Sequence, residues 1–133
     1  MAVVCNRGVV YSIYDKLNNS GFKVRFEFPY TSSDAFSTHS NSFLYATHVD
    51  DASSAVAIVW SGGKIVRATE VAEFFKLIMR INEDVKSVDV FVVSRRSSGT
   101  ARRMTRKLKR EFGCVNTMKI CSNEQLLHSE FSC

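Results

Sequence analysis

Hydrophobic residues recur along this chain at two spacings, one typical of helices and one typical of strands. Near the start an apolar residue returns every three or four positions, which places Val9, Val10, Ile13, Tyr14 and Leu17 on one face of a helix. This spacing predicts a first amphipathic helix that packs its apolar face on the rest of the protein.

A strand follows this helix after a turn at Gly21, a residue that can adopt the left-handed backbone of a helix C-cap. Apolar and charged residues then alternate up to Pro29. The period of two predicts a strand with one buried face, which would hold Phe22, Val24, Phe26 and Phe28. Residues 31–42 are rich in Ser and Thr, and we expect a surface loop or weak helix there.

Four further short apolar segments are predicted as strands, over residues 42–49, 55–60, 88–93 and 115–120. The segment 55–60 is apolar throughout, which favours burial on both of its faces. Residues 61–63 are predicted to form a turn, and Ile65 and Val66 could add a short extended piece.

Three more helices are predicted between and after these strands. Thr69 could cap the first, whose apolar stripe is Val71, Phe74, Phe75, Ile78 and Met79. Gly99 and Thr100 open the second, Gly113 ends it, and its stripe is Ala101, Met104, Leu108 and Phe112. Ser122 and Gln125 have the spacing of a capping box for a short last helix.

The order of these elements predicts a single α/β domain over residues 1–133. Strand–helix–strand units after residue 55 favour a mixed sheet with parallel pairs and helices on both faces, a three-layer arrangement. The apolar phase of each element predicts a core that includes Trp60, Phe74, Ile78, Val90, Val92 and Leu108.

The composition is that of an ordinary globular protein. Hydrophobic residues make up 45% and charged residues 23%, and ten Phe with a single Pro exclude disorder as the main state. No apolar run reaches the roughly 18 residues of a membrane span, and the first residues lack the apolar stretch of a signal peptide. We therefore expect the cytosol or nucleus, with Cys5, Cys114, Cys121 and Cys133 as reduced thiols.

Charge is concentrated in one window of the chain. Residues 95–112 contain eight Lys or Arg and one Glu, so they carry +7, while the other ten basic and twelve acidic residues give the rest −2. Such a focus attracts polyanions more strongly than evenly spread charge would.

This basic turn and helix is the candidate nucleic-acid site. Like charges at i,i+4 cost a few tenths of a kcal/mol per pair, a cost that an anionic partner would offset. No aromatic residues interleave the cluster, so contact with phosphates is favoured over base stacking. The site residues are Arg95, Arg96, Ser97, Ser98, Thr100, Arg102, Arg103, Arg106, Lys107, Lys109 and Arg110.

No catalytic or metal-binding pattern is evident. The order of a helix, three strands, a helix and a strand is similar to the restriction-endonuclease-like core, whose nucleases place an Asp at one strand end and Glu-x-Lys on the next strand. Asp50 and Asp51 could supply the first part, but residues 55–60 contain neither carboxylate nor Lys. His39, His48 and His128 are scattered. We expect no enzyme activity, no metal and no cofactor.

Two paired segments, Phe43–Asp51 and Val56–Trp60, resemble the N-terminal jaw domain of the fifth shared subunit of eukaryotic RNA polymerases. That family has a strand, a double-Asp turn and then an apolar strand. The resemblance continues through residues 65–79, 88–93, the turn Ser98-Gly99-Thr100-Ala101 in place of the family's Thr-Pro-Ser-Ala, and 115–127. It covers about residues 6–130 and rests on order and local pattern.

The resemblance implies a restriction-endonuclease-like fold without nuclease activity, in a subunit of a nuclear DNA-dependent RNA polymerase. Its partners would be the largest polymerase subunit, other polymerase subunits and the backbone of downstream duplex DNA, with the turn at residues 97–101 on the DNA side. The family also carries a C-terminal assembly domain, which has no counterpart within these 133 residues. Two alternatives remain: a divergent metal-dependent nuclease, and a free-standing nucleic-acid-binding adaptor such as a virus might encode.

Overall fold

A computed structural model describes residues 7–28, 42–60, 68–93, 98–129 and 131. These residues form four helices and five strands. They are α1 (Arg7–Asn19), β1 (Phe22–Phe28), β2 (Ser42–His48), β3 (Ser54–Trp60), α2 (Ala68–Ile81), β4 (Ser87–Val93), α3 (Ser98–Glu111), β5 (Val115–Cys121) and α4 (Asn123–His128). The expectations for residues 31–41 and 61–67 lie outside the described residues.

The five strands form one mixed sheet in the order in which they occur along the chain. The first three pair antiparallel, whereas β3, β4 and β5 pair parallel. Parallel neighbours need a crossover, and α2 and α3 supply the two crossovers. The prediction of a mixed α/β sheet with parallel pairs is confirmed.

Helices cover both faces of the sheet, so the protein has three layers and two hydrophobic cores. One core packs α2 and α3 on residues such as Val59, Val90 and Val92. The other packs α1 and α4 on residues such as Ile58 and Phe91. Adjacent residues of β3 and β4 point to opposite cores, which explains why these two strands are apolar without interruption.

The predicted core is confirmed, because all six of its residues are at most 3% exposed. They are Trp60, Phe74, Ile78, Val90, Val92 and Leu108. The predicted capping box is also present: Ser122 Oγ accepts from the Gln125 backbone N–H at 3.1 Å, and Gln125 Oε1 accepts from that of Ser122 at 2.8 Å.

Gly21 has the left-handed backbone that the sequence predicts, with a φ of +85°. A Cβ at this position would also lie 3.0 Å from His48 Nε2. Both the backbone angle and the close contact therefore favour glycine here.

A β-bulge corrects the prediction that β1 buries all its Phe side chains on one face. Val24 pairs with Ala46, but Phe26 pairs with Tyr45, so Arg25 is an extra residue in β1. The bulge moves Phe26 to the opposite face of the sheet, where its ring lies 5.4 Å from that of Tyr45.

The other edge strand has a similar bulge. Val88 pairs with Val115 and Asp89 with Thr117, which leaves Asn116 as the extra residue of β5. In both bulges the extra side chain bonds to the neighbouring strand: Arg25 Nε donates to Thr47 Oγ1 at 2.7 Å, and Asn116 Nδ2 donates to Asp89 Oδ1 at 3.0 Å.

Three predicted details of α2 and α3 are wrong. α2 begins at Ala68, so Thr69 lies inside the helix instead of capping it, and Met79 is 44% exposed although the apolar stripe included it. α3 runs from Ser98 to Glu111, so it begins one residue earlier than predicted. It ends just before Gly113, as predicted, although Gly113 does not have a left-handed backbone.

Candidate nucleic-acid interface

The position of α3 on the sheet exposes its basic face. The buried residues Met104 and Leu108 fix the orientation of the helix, and Phe112, just after it, stacks on Phe75 of α2 with the ring centroids 5.5 Å apart. Because these contacts all lie on one side of α3, the opposite side projects away from the sheet.

Five cationic side chains of α3 are described, and all five are exposed: Arg103, Arg106, Lys107, Lys109 and Arg110. Helical periodicity divides them into two adjacent rows, one with Arg103, Lys107 and Arg110 and the other with Arg106 and Lys109. From Arg103 to Arg110 the helix rises about 10 Å, at 1.5 Å per residue.

None of these five cations forms an ion pair with a carboxylate of the described residues. The ion pair found among the described residues is on α2, where Lys76 Nζ lies 3.2 Å from Glu73 Oε1. Glu111 lies four residues after Lys107, at helical pairing distance, and still makes no salt bridge with it. No carboxylate of the described residues therefore neutralises this cationic face.

The remaining predicted site residues are less completely defined. Arg95, Arg96 and Ser97 lie outside the described residues. Ser98, Thr100 and Arg102 belong to the first turns of α3, whereas the sequence predicted Ser98 in the turn before the helix.

A sixth exposed cation, Arg80, lies in the last turn of α2, on the same face of the sheet as α3, and was not among the predicted site residues. It also makes no ion pair with a described carboxylate. Arg80 lies outside the basic window of the sequence, and α2 carries both signs of charge, so no local signal identifies it. Only the packing of α2 beside α3 brings it close to the basic helix.

The double-Asp segment forms an ordinary exposed turn between β2 and β3. Asp51 Oδ1 accepts from the Ser53 hydroxyl at 2.6 Å and from its backbone N–H at 3.0 Å. These hydrogen bonds from Ser53 lower the pKa of Asp51 below its ordinary value. His48 Nδ1 accepts from the Asp50 backbone N–H at 3.3 Å. Among the described residues, no three His, Cys, Asp or Glu side chains gather as a metal site would require.

Two of the four cysteines are described, and both are free thiols: Cys114, half-buried, and Cys121, buried. This agrees with the prediction of reduced cysteines; Cys5 and Cys133 lie outside the described residues. Burial raises the pKa of Cys114 and raises that of Cys121 to about 11. Both are therefore protonated near neutral pH and poor nucleophiles.

The helices of the described part of the chain are all too short or too polar to cross a membrane. No protein-family model, curated protein or solved structure matches this chain.

Proposed function

We propose that this protein is a non-catalytic module that binds the phosphate backbone of duplex DNA through α3. The observation that carries the proposal is the row of exposed cations on α3, none of which has a carboxylate partner among the described residues. Phosphate oxygens would supply the missing negative charge.

The like charges on α3 lower the stability of the protein when no ligand is bound. Arg103 and Lys107, and likewise Arg106 and Arg110, are i,i+4 pairs of like charge, each unfavourable by roughly 0.2–0.5 kcal/mol. A helix that served only as a solvated surface could avoid this cost by alternating signs, as Glu73 and Lys76 do on α2. A bound polyanion would relieve this repulsion, and the relief would contribute to the free energy of binding.

The outer face of α3 supports backbone contact without base recognition. The described side chains on it are long cations, and no aromatic residue accompanies them for stacking. One side of a helix of this length can make about three to five phosphate contacts. We expect sequence-independent binding with a Kd near 10⁻⁴–10⁻⁶ M, on the order of other non-specific complexes at physiological salt.

The cellular setting that we propose is the jaw of a nuclear multisubunit DNA-dependent RNA polymerase, with a restriction-endonuclease-like core that lacks catalytic residues. The support is the resemblance of the β2, turn and β3 segment, together with a three-layer α/β structure. A metal-dependent nuclease receives no support from this segment, because β3 supplies neither a carboxylate nor a Lys to join Asp50 and Asp51. A free-standing adaptor that binds nucleic acid would use the same α3 surface.

The DNA contact is tested by the triple variant Arg103→Ala, Arg106→Ala, Arg110→Ala. For the wild type, the slope of log K against log salt should be roughly −3 to −4.5, at about −0.9 per phosphate. The variant should flatten this slope by up to about 3, because it removes three phosphate contacts. The measurement is a titration of a labelled duplex at several salt concentrations.

A matched control removes the same net charge elsewhere, with Lys23→Ala, Lys86→Ala and Lys119→Ala, all exposed residues outside α3. This control should keep the slope of the wild type. If the α3 variant and the control both bind like the wild type, the α3 surface does not contact DNA and the proposal is wrong.

A further inference from the structure

We propose that the DNA-binding surface extends from α3 onto α2, with Arg80 as a phosphate contact across a groove of the duplex. This inference rests on the proposed function and adds a second helix to the site. It concerns a residue that the basic window of the sequence does not contain.

The topology places Arg80 beside the basic helix. Strands β3, β4 and β5 are parallel, so α2 and α3 both return from the carboxyl ends of the strands to the amino ends. They lie on the same face of the sheet and contact each other, as the stacking of Phe75 on Phe112 shows. Arg80 is one residue before the end of α2 and Arg110 is one residue before the end of α3, so the two lie at a similar height.

The side chains of Arg80 and Arg110 project to the same side of the protein. Val71, Phe74, Phe75 and Ile78 form the buried stripe of α2, and helical periodicity puts Arg80 opposite that stripe. Met104 and Leu108 put Arg110 opposite the buried stripe of α3 in the same way. Both guanidinium groups therefore extend from the outer surface of the helical layer.

The usual distance between two packed helices is comparable to the width of the DNA grooves. Packed helices lie about 8–10 Å apart, between the roughly 6 Å width of the minor groove and the roughly 12 Å width of the major groove of B-form DNA. Flexible arginine side chains can accommodate this difference. Arg110 can therefore contact one strand while Arg80 contacts the other.

The neighbours of Arg80 define where the surface ends. Lys76, one turn earlier on α2, forms an ion pair with Glu73 at 3.2 Å, so Glu73 already neutralises its charge. Glu83 and Asp84 follow α2 in an exposed loop and make no salt bridge with Arg80. Their negative charge would repel phosphates beyond the helix end, so Arg80 would lie at the border of the contact.

The test is the variant Arg80→Ala in the full chain, titrated with a labelled duplex at several salt concentrations. The slope of log K against log salt should be less steep by about 0.9, the value for one lost phosphate contact. Arg80→Lys should retain the slope of the wild type, since it keeps the charge. Lys76→Ala is the matched control on the same helix and should also leave the slope unchanged.

A single strand of the same sequence separates contact across a groove from general attraction. Arg80→Ala and the wild type should bind it alike, because there is no second strand for Arg80 to reach. Equal losses on duplex and single strand would contradict the arrangement across a groove.

An Arg80→Ala slope on duplex equal to that of the wild type, while the triple α3 variant loses affinity, would overturn this inference and leave the proposed function intact. If the wild type itself shows no salt-dependent binding, the proposed function fails and this inference with it.

Discussion

Phe74 lies where α2 meets the antiparallel side of the sheet, and its ring is the centre of an aromatic cluster. Its centroid is 4.6 Å from that of Phe43, 5.9 Å from that of Phe26 and 6.3 Å from that of Phe75. Phe26 reaches this cluster because of the bulge at Arg25, which reverses the face that the following residues occupy. One extra residue in an edge strand thus helps to fill the core on the far side of the sheet.

At the residue scale we predict that Phe74→Ala lowers the free energy of unfolding by roughly 3–5 kcal/mol, the usual cost of removing a large buried aromatic side chain. Chemical denaturation measures the change. Met79→Ala is the control: it alters the same helix at a residue that is 44% exposed and should cost less than about 1 kcal/mol. A loss below about 1 kcal/mol for Phe74→Ala would show that the aromatic cluster does not stabilise the domain.

At the scale of the element, α3 combines a narrow apolar stripe with an almost uniformly cationic outer face. Among the described side chains, this stripe consists of Met104 and Leu108, with Phe112 beyond the helix end. Lys109 and Arg110 lie in the last turn, where positive charge is favourable to the helix dipole. Arg103 and Arg106 lie farther from the C-terminus of the helix and gain little from the dipole. The dipole therefore offsets less of the repulsion that these two residues experience.

We predict that Arg106→Glu stabilises the protein while it weakens DNA binding. The new carboxylate would have the i,i+4 spacing from Arg102 and from Arg110, so attraction would replace repulsion and should raise the free energy of unfolding by roughly 0.5–1 kcal/mol at low salt. Denaturation and duplex titration in the same buffer measure both effects. Arg106→Gln, which removes the charge without reversing it, should give intermediate values. A less stable Arg106→Glu protein would contradict the electrostatic cost assigned to α3.

At the scale of the whole molecule, the cations of α3 project from one side of a body that is slightly acidic. The window of residues 95–112 carries +7 and the rest of the chain −2. At 0.1 M salt, exposed charges act over about 10 Å, so a polyanion is attracted mainly near α3 and is repelled weakly elsewhere. This distribution would orient the domain on DNA with the helical layer of α2 and α3 toward the duplex.

If the domain serves as a polymerase jaw, a tagged form should co-purify with the largest polymerase subunit from a nuclear extract treated with nuclease. The triple α3 variant should recover the same subunit, because its substitutions affect DNA contacts and leave other surfaces unchanged. Quantitative mass spectrometry of the recovered proteins makes the comparison. Polymerase recovery that disappears after nuclease treatment would indicate tethering through DNA and would favour the free-standing adaptor.

Local pattern in the sequence was sufficient to predict the helices and strands of the described residues, the capping box at Ser122, the buried core and the charge of α3. These features depend on neighbours within about four residues, where spacing and side-chain chemistry act directly. The bulge at Arg25 and the exposure of Met79 could not be predicted in this way, since pairing with β2 and the orientation of α2 on the sheet decide them. The inclusion of Arg80 in the site could not be predicted for the same reason. Its helix lies beside α3 only because parallel strands place their crossover helices side by side.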